Sequence, residues 1–231
     1  MKILIIIPAY NEAKNLPIVM NSLLEFPEYD YIIINDGSKD NTVDLCNKNG
    51  WKMLDLPVNL GLSAAIQTGM RYAKMYDYDY AIQIDGDGQH RPEYISTMID
   101  VIPKADIIIG SRFLTKKMRI GMRTIGSILI KLALLVTTGK KIMDPTSGMR
   151  LYNRKMIFVL AEAIDFGPEP DTLAYFIRNG AKVCETAVKM DERISGDSYL
   201  SASQAIMYMI RMFLSIGIFQ YIRKKIDLEA I

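Results

Sequence analysis

The chain has 231 residues, half of them hydrophobic, with 28 Lys and Arg against 26 Asp and Glu for a net charge of +2. That length supports one full core, and the near-balance of charge argues against a nucleic-acid binder driven by net charge. Cys46 and Cys184 have no paired spacing, which points to buried apolar residues in a reducing compartment and not to a disulfide framework.

The N-terminal run Ile3–Ile7 is short, ends at Pro8 and lacks a small-residue cleavage site, so it reads as a first core strand and not a signal peptide. Further β-branched or aromatic runs follow at Tyr31–Ile34, Trp51–Leu56, Tyr80–Ile84 and Ile107–Ile109. Helical patterns lie between them at Ala13–Phe26, Asp40–Lys48, Leu62–Tyr76 and Pro92–Ile102, with Gly50 placed for a left-handed cap. Apolar strands alternating with helices predict an α/β fold, a Rossmann-like, mostly parallel sheet flanked by helices. The second half is less regular. Lys116–Thr138 is helical, with Arg119, Arg123, Ser127 and Lys131 four apart; Asp144–Gly148 is turn chemistry. Glu169–Asn179 reads as a helix and Ala181–Met190 as a strand. Gln204–Ile222 is apolar almost all round except at Arg211. No segment offers about twenty uninterrupted apolar residues, so a spanning helix is not expected.

In such a sheet, ligands bind beyond the carboxyl ends of the strands. The segments emerging there are Pro8–Glu12, Asn35–Asp40, Asn59–Ser63 and Asp85–His90, all polar or glycine-rich. Asp85 and Asp87 are two apart at a strand end, so an extended backbone aims both carboxylates one way. Gly86 and Gly88 permit a tight turn and leave room for a ligand. Two carboxylates with open space suit a hard divalent cation that keeps positions for phosphate oxygens; taken alone, the fragment also fits an ordinary Asp-Gly turn.

With these loops in place, the chain resembles family 2 of the inverting glycosyltransferases over about residues 2–200. Ile7-Pro8-Ala9-Tyr10-Asn11-Glu12 is similar to the family's opening motif, and Asn35-Asp36-Gly37-Ser38 to its second. Asn59-Leu60-Gly61, Asp85-Gly86-Asp87 and Gly110-Ser111-Arg112-Phe113 follow in order. Asp144-Pro145-Thr146-Ser147-Gly148-Met149-Arg150 resembles the sub-group acting on polyprenyl phosphates, of the dolichol-phosphate mannose synthase and undecaprenyl-phosphate type.

The resemblance implies a GT-A fold over 1–200, followed by an apolar and basic helical segment over 201–231. It implies Mg²⁺ or Mn²⁺ on Asp85 and Asp87, with Asp87, Asp171 and Arg112 as the catalytic set. Pro8, Tyr10, Glu12, Asp36, Gly61, Asp85, Gln89, Ser147 and Arg193 would contact the nucleotide sugar or its phosphates. Asp36-Gly37-Ser38 also fits a helix-capping turn, Asp171 a helix N-cap, and Arg112 a surface ion pair. His90, the single histidine, reads as a hydrogen-bond partner of the carboxylates. Arg193 lies in Arg193-Ile194-Ser195-Gly196-Asp197-Ser198-Tyr199, where Tyr199 replaces the family's lysine.

The implied activity is metal-dependent transfer of a hexose-type sugar from a nucleoside diphosphate, UDP being the expectation, to polyprenyl phosphate for cell-envelope glycans. The alternatives are a soluble transferase acting on a sugar or protein hydroxyl, and a non-catalytic nucleotide-sugar-binding partner of a membrane protein. The basic stripe on the Arg119–Lys131 helix suits an interfacial helix on anionic lipid, or a solvated face. The expected partners are therefore the donor, the lipid acceptor, a membrane surface or small membrane protein, and a second copy in a homo-oligomer. The expected location is cytoplasmic, peripheral at the membrane.

Overall fold

The computed structural model describes residues 1–114, 122–162, 166–191, 202–223, 225, 226 and 228. Its first half alternates as the apolar runs predict: β1 (Ile3–Ala9), α1 (Leu16–Leu23), β2 (Asp30–Asn35), α2 (Thr42–Asn49), β3 (Met53–Asp55), α3 (Leu62–Met75) and β4 (Tyr80–Gln83). Then come α4 (Ile95–Ile99), β5 (Ile107–Ser111), α5 (Met122–Thr138), β6 (Arg150–Asn153), α6 (Arg154–Glu162), α7 (Pro170–Arg178), β7 (Val183–Ala187) and α8 (Ala202–Gly217). Gly50 caps α2 with φ +66°, as its place after the helix required.

Among the described residues the sheet has seven strands in the order β3-β2-β1-β4-β6-β5-β7. All neighbouring pairs are parallel except those made by β6, which runs antiparallel to both β4 and β5. β1 is an interior strand, and Ile3–Ile7 are buried on both faces, which is why the run is continuous and not alternating. On one face Ile6, Ile34, Ala81 and Ile109 pack under α3, α6, α7 and α5. On the other, Ile5, Ile7, Ile82 and Ile108 pack under α1 and α4. Gly69 lets α3 lie close over β1: a Cβ there would fall 2.4 Å from Ile6 Cγ2. That approach aims the N-terminus of α3 at the carboxyl edge of β1 and β4.

β6 and α6 were not expected. β6 is four residues long and carries Arg150 and Asn153, so it has too little apolar run to announce itself. It becomes a strand because β4 and β5 both offer it backbone partners. The expected helix over 116–138 is described from Met122, and its earlier part, with Arg119, lies outside the described residues. No helix among the described residues is long and apolar enough to cross a membrane.

Candidate active site

The first two loops are clasped by side-chain to backbone hydrogen bonds. Asn11, at φ +56°, donates its backbone N–H to Ser38 Oγ at 2.9 Å, and its Oδ1 accepts from Lys39 N at 2.8 Å. Glu12 N donates to Thr42 Oγ1 at 3.1 Å, and Ala13 N to Asp40 Oδ2 at 3.2 Å. Asparagine tolerates the left-handed region because its short amide bonds locally.

Asp36 connects the second loop to the third. It is buried, and its two oxygens accept from Leu60 N at 2.7 Å and Gly61 N at 2.9 Å. The N-cap of α2 is Asn41, which makes no side-chain cap bond; Asp40, one residue earlier, accepts from Thr42 N through its Oδ1 at 3.0 Å. Gly37 permits the close approach: its φ is +65°, and a Cβ would lie 2.6 Å from both Asn59 N and Val58 C. Gly37→Ala is therefore expected to cost about 1–3 kcal/mol and to push Asn59–Gly61 out of place. Thermal unfolding and nucleotide titration check it; unchanged melting and unchanged nucleotide binding would refute the clasp.

These loops surround a cavity of about 400 Å³ lined by Pro8, Tyr10, Glu12, Asp36, Asn59 and Gly61 together with Asp85, Gly86 and Asp87. The size suits a small organic ligand. Eight sequence-predicted positions thus share one cleft: Pro8, Tyr10, Glu12, Asp36, Gly61, Asp85, Asp87 and the linking Gly86. Gly86 presses its backbone on the first loop, where a Cβ would meet Pro8 O at 2.9 Å.

The donor set fits a hard divalent cation in an open site. Asp85 and Asp87 both face the cavity, and among the described residues no group of three or more His, Cys, Asp and Glu could enclose a metal. Two oxygen ligands leave the remaining positions to phosphate oxygens and water. Asp87 is 6% exposed and its Oδ1 accepts from Gln89 N at 3.1 Å. Gln89 itself serves through its backbone, since its carbonyl takes Asp191 N at 3.0 Å and its side chain is not among the cavity lining. His90 is buried; its Nδ1 accepts from Asp85 N at 2.9 Å, which leaves the ring proton on Nε2, 3.7 Å from Asp85 Oδ2. Its hydrogen bond is thus to the Asp85 backbone, and its approach to the carboxylate is longer than a hydrogen bond. Gly148 lies against the same carboxylate, where a Cβ would fall 2.6 Å from Asp85 Oδ2.

Arg112 is held by a partner the sequence did not disclose. Its Nε and Nη2 donate to Asp144 at 2.6 and 2.7 Å, and its backbone N donates to the same carboxylate at 3.0 Å. Burial disfavours the guanidinium's charge, but the bonds and charge of Asp144, with a smaller contribution from Asp85, outweigh it and raise its pKa. Asp144 is fully buried, so this is no loose surface pair. The Asp144 turn is fixed in turn by Glu185, whose carboxylate takes Met143 N and Asp144 N at 2.7 and 2.8 Å. Lys131 and Arg112 flank the Phe113 ring at 4.7 and 5.2 Å, so positive charge gathers on the Asp85 side of the site.

Among the described predicted residues, Gln89, Arg112, Ser147 and Asp171 are not part of the cavity lining. Ser147 is buried and donates its hydroxyl to Gly110 O at 2.6 Å, binding the loop to β5. Asp171 lies in the first turn of α7, not at its cap, which is Glu169. Its carboxylate accepts from Ser215 Oγ of α8 at 2.6 Å and from Thr172 N at 2.8 Å. Next to it, burial and the charge of Asp171 raise the Glu169 pKa against the pull of Arg150, Arg211 and Arg223. Arg193 lies outside the described residues. Sequence reasoning missed Asp144, Glu185 and Arg150, whose buried guanidinium donates to the carbonyls of Ser147 and Pro145 at 3.0 and 2.8 Å. The available signal was a charged residue inside a short apolar stretch at Arg150.

A mixed, mostly parallel sheet with a carboxylate-lined cleft at its carboxyl edge is the architecture of the GT-A fold. The chain belongs to Glycosyl transferase family 2, whose model matches residues 4–158. It is 27% identical over 214 residues to the undecaprenyl-phosphate mannosyltransferase of Micrococcus luteus, covering 87% of this chain and 88% of that one. It is 29% identical over 219 residues to the polyprenol monophosphomannose synthase of Mycolicibacterium smegmatis, with 87% and 81% covered. Among solved structures, glucosyl-3-phosphoglycerate synthase from Mycobacterium tuberculosis, in complex with Mn²⁺, UDP and phosphoglyceric acid, superposes with a TM-score of 0.69 at 16% identity. That match covers 94% of this chain and 78% of the other. The protein is thus an enzyme of the hexosyltransferase class.

Proposed function

We propose that this glycosyltransferase moves a hexose-type sugar from a nucleoside diphosphate, UDP foremost, to a polyprenyl phosphate. The observation that carries the reading is the single cleft in which Asp85 and Asp87 meet Pro8–Glu12, Asp36 and Gly61. The polyprenyl-phosphate names of the relatives support the acceptor, and the Mn²⁺ and UDP complexes of the structural neighbour support the donor side.

Pro8, Tyr10 and Glu12 hold the nucleoside, and Asp36 sets the rim that receives its base. Asp85 and Asp87 hold Mg²⁺ or Mn²⁺, which when bound stabilises the negative charge of the departing diphosphate. An acceptor phosphate oxygen attacks the anomeric carbon from the face opposite the diphosphate. The new carbon–oxygen bond forms as the sugar–diphosphate bond breaks, and the configuration inverts. A phosphate monoester has its second pKa near ~6 and is largely ionised at neutral pH, so the attack needs no general base. Arg112, pinned by Asp144, presents positive charge beside the Asp85–Asp87 loop to a phosphate. Asp171, bonded to Ser215, positions α7 against α8.

The acceptor's lipid tail needs the enzyme at a bilayer. α5 exposes Ile128, Leu129, Leu132, Leu135 and Val136, and α8 exposes Met207, Ile210, Phe213 and Leu214. Residues 113–143 and 198–225 hold eleven of the 28 Lys and Arg and none of the 26 Asp and Glu. Apolar faces with cations and no acids suit the surface of an anionic membrane. The protein is therefore peripheral at the inner face of the membrane.

The test is transfer from a labelled nucleotide sugar, with lipid extract and with soluble sugar and peptide acceptors. Product is expected on polyprenyl phosphate alone, with Asp171→Asn keeping activity within about tenfold of wild type, since no proton need be removed. Product on a hydroxyl acceptor, with near-total loss in Asp171→Asn, would establish the soluble rival instead.

A further inference from the structure

A fully buried glutamine ends the otherwise apolar strand β4. Gln83 stands in register between Ile6 of β1 and Arg150 of β6, and is wholly inaccessible. Alternation along the strand puts its side chain on the same face as Ala81, beneath α3. Its Nε2 donates to Asp85 Oδ1 at 3.0 Å, while its buried Oε1 has no hydrogen-bond partner among the described residues. Arg150 does not supply one, since it donates Nε and Nη2 to the carbonyls of Ser147 and Pro145.

The two ends of this amide act in opposite senses. A buried acceptor without a partner destabilises the fold, and an apolar side chain of equal length would remove that penalty. An apolar side chain would also leave Asp85 Oδ1 without its donor. The rest of the carboxylate's surroundings locate it but do not replace that bond. His90 Nε2 is 3.7 Å from Oδ2, and the bare backbone of Gly148 packs against the same oxygen. A glutamine kept for structure alone would have both ends paired; here only the end facing Asp85 is.

We propose that Gln83 is a positioning residue: it turns the Asp85 carboxylate toward the divalent cation, and the fold carries an unpaired buried carbonyl as the consequence. The inference rests on the reading of Asp85 as a metal carboxylate, and it gives the last residue of β4 a task that reaches the site only through its neighbour. Residues that orient metal ligands change metal affinity by about 10–100-fold when altered.

Gln83→Met separates this role from a structural one, because stability and metal binding are expected to move in different directions. Mn²⁺ is titrated into the protein saturated with UDP, and thermal unfolding is followed without metal. The variant is expected to bind Mn²⁺ about tenfold more weakly. Its melting temperature should be unchanged or raised by up to about 3 °C, and its metal-free affinity for UDP unchanged. Gln83→Leu repeats the measurement with a different apolar shape, so one poorly packed variant does not decide the matter. Unchanged Mn²⁺ affinity in a folded variant would overturn the proposal. So would lowered melting accompanied by lost metal-free UDP binding in both variants, which would make Gln83 structural. If the wild type itself takes no Mn²⁺ with UDP, the metal reading of Asp85 and Asp87 fails, and the Gln83 proposal with it.

Discussion

Asp87→Ala is expected to lower sugar transfer by about 10³-fold while leaving the protein folded, on the scale of removing a group that stabilises charge in the transition state. The loss follows from position. Asp87 lies at the carboxyl end of β4 in the cleft that also holds Asp85 and the nucleotide loops. Its Oδ1 accepts from the backbone N of Gln89 at 3.1 Å. Losing such a bond costs about 1 kcal/mol. Chelator treatment of the wild type should reproduce the loss, and restoring Mg²⁺ or Mn²⁺ should rescue the wild type but not the variant. Transfer within tenfold of wild type by Asp87→Ala, at matched melting temperature, would remove Asp87 from the machinery.

Asp144→Ala is expected to damage both stability and turnover. The carboxylate is fully buried and accepts from the backbone N, Nε and Nη2 of Arg112. Truncation leaves a half-buried guanidinium and a backbone N–H without their acceptor, and breaking one side of a buried pair costs about 3–5 kcal/mol. Because the Arg112 side chain is about one third exposed, water softens the penalty, and the lower end, about 3 kcal/mol, is the expectation. Denaturant titration measures that cost. Turnover, measured where the variant is still folded, should fall at least about tenfold because Arg112 is no longer held beside Asp85. Full activity in a folded Asp144→Ala protein would show that Arg112 does not need its clamp, and would favour a purely structural pair.

The runs of β1, β2 and β4 are rich in isoleucine and bounded by polar loops, so their type and their shared carboxyl edge could be argued from residues alone. That edge sufficed to bring Pro8, Tyr10, Glu12, Asp36, Gly61, Asp85 and Asp87 to one cleft. β6 was invisible because four residues with an arginine and an asparagine show no period, and the strand exists through pairing on both sides. Ser147 was placed at the ligand by its motif, yet the structure turns its hydroxyl to Gly110 O, a residue 37 positions away. Asp171 likewise meets Ser215, 44 residues on, through the packing of α7 on α8.

Local chemistry written along the chain was therefore enough to determine the class of sheet, the loops that line the cleft and the two carboxylates either side of Gly86. Strand periodicity, glycine placement and carboxylate spacing are properties of short segments, and they survive without any knowledge of what lies opposite. Which donors those carboxylates use was decided only by tertiary structure. Asp36 takes Leu60 and Gly61, Asp144 takes Arg112, and Asp85 takes Gln83 and faces His90. Most of these pairs form between segments brought together by the sheet, where burial makes an unpaired charge costly and so selects the partner.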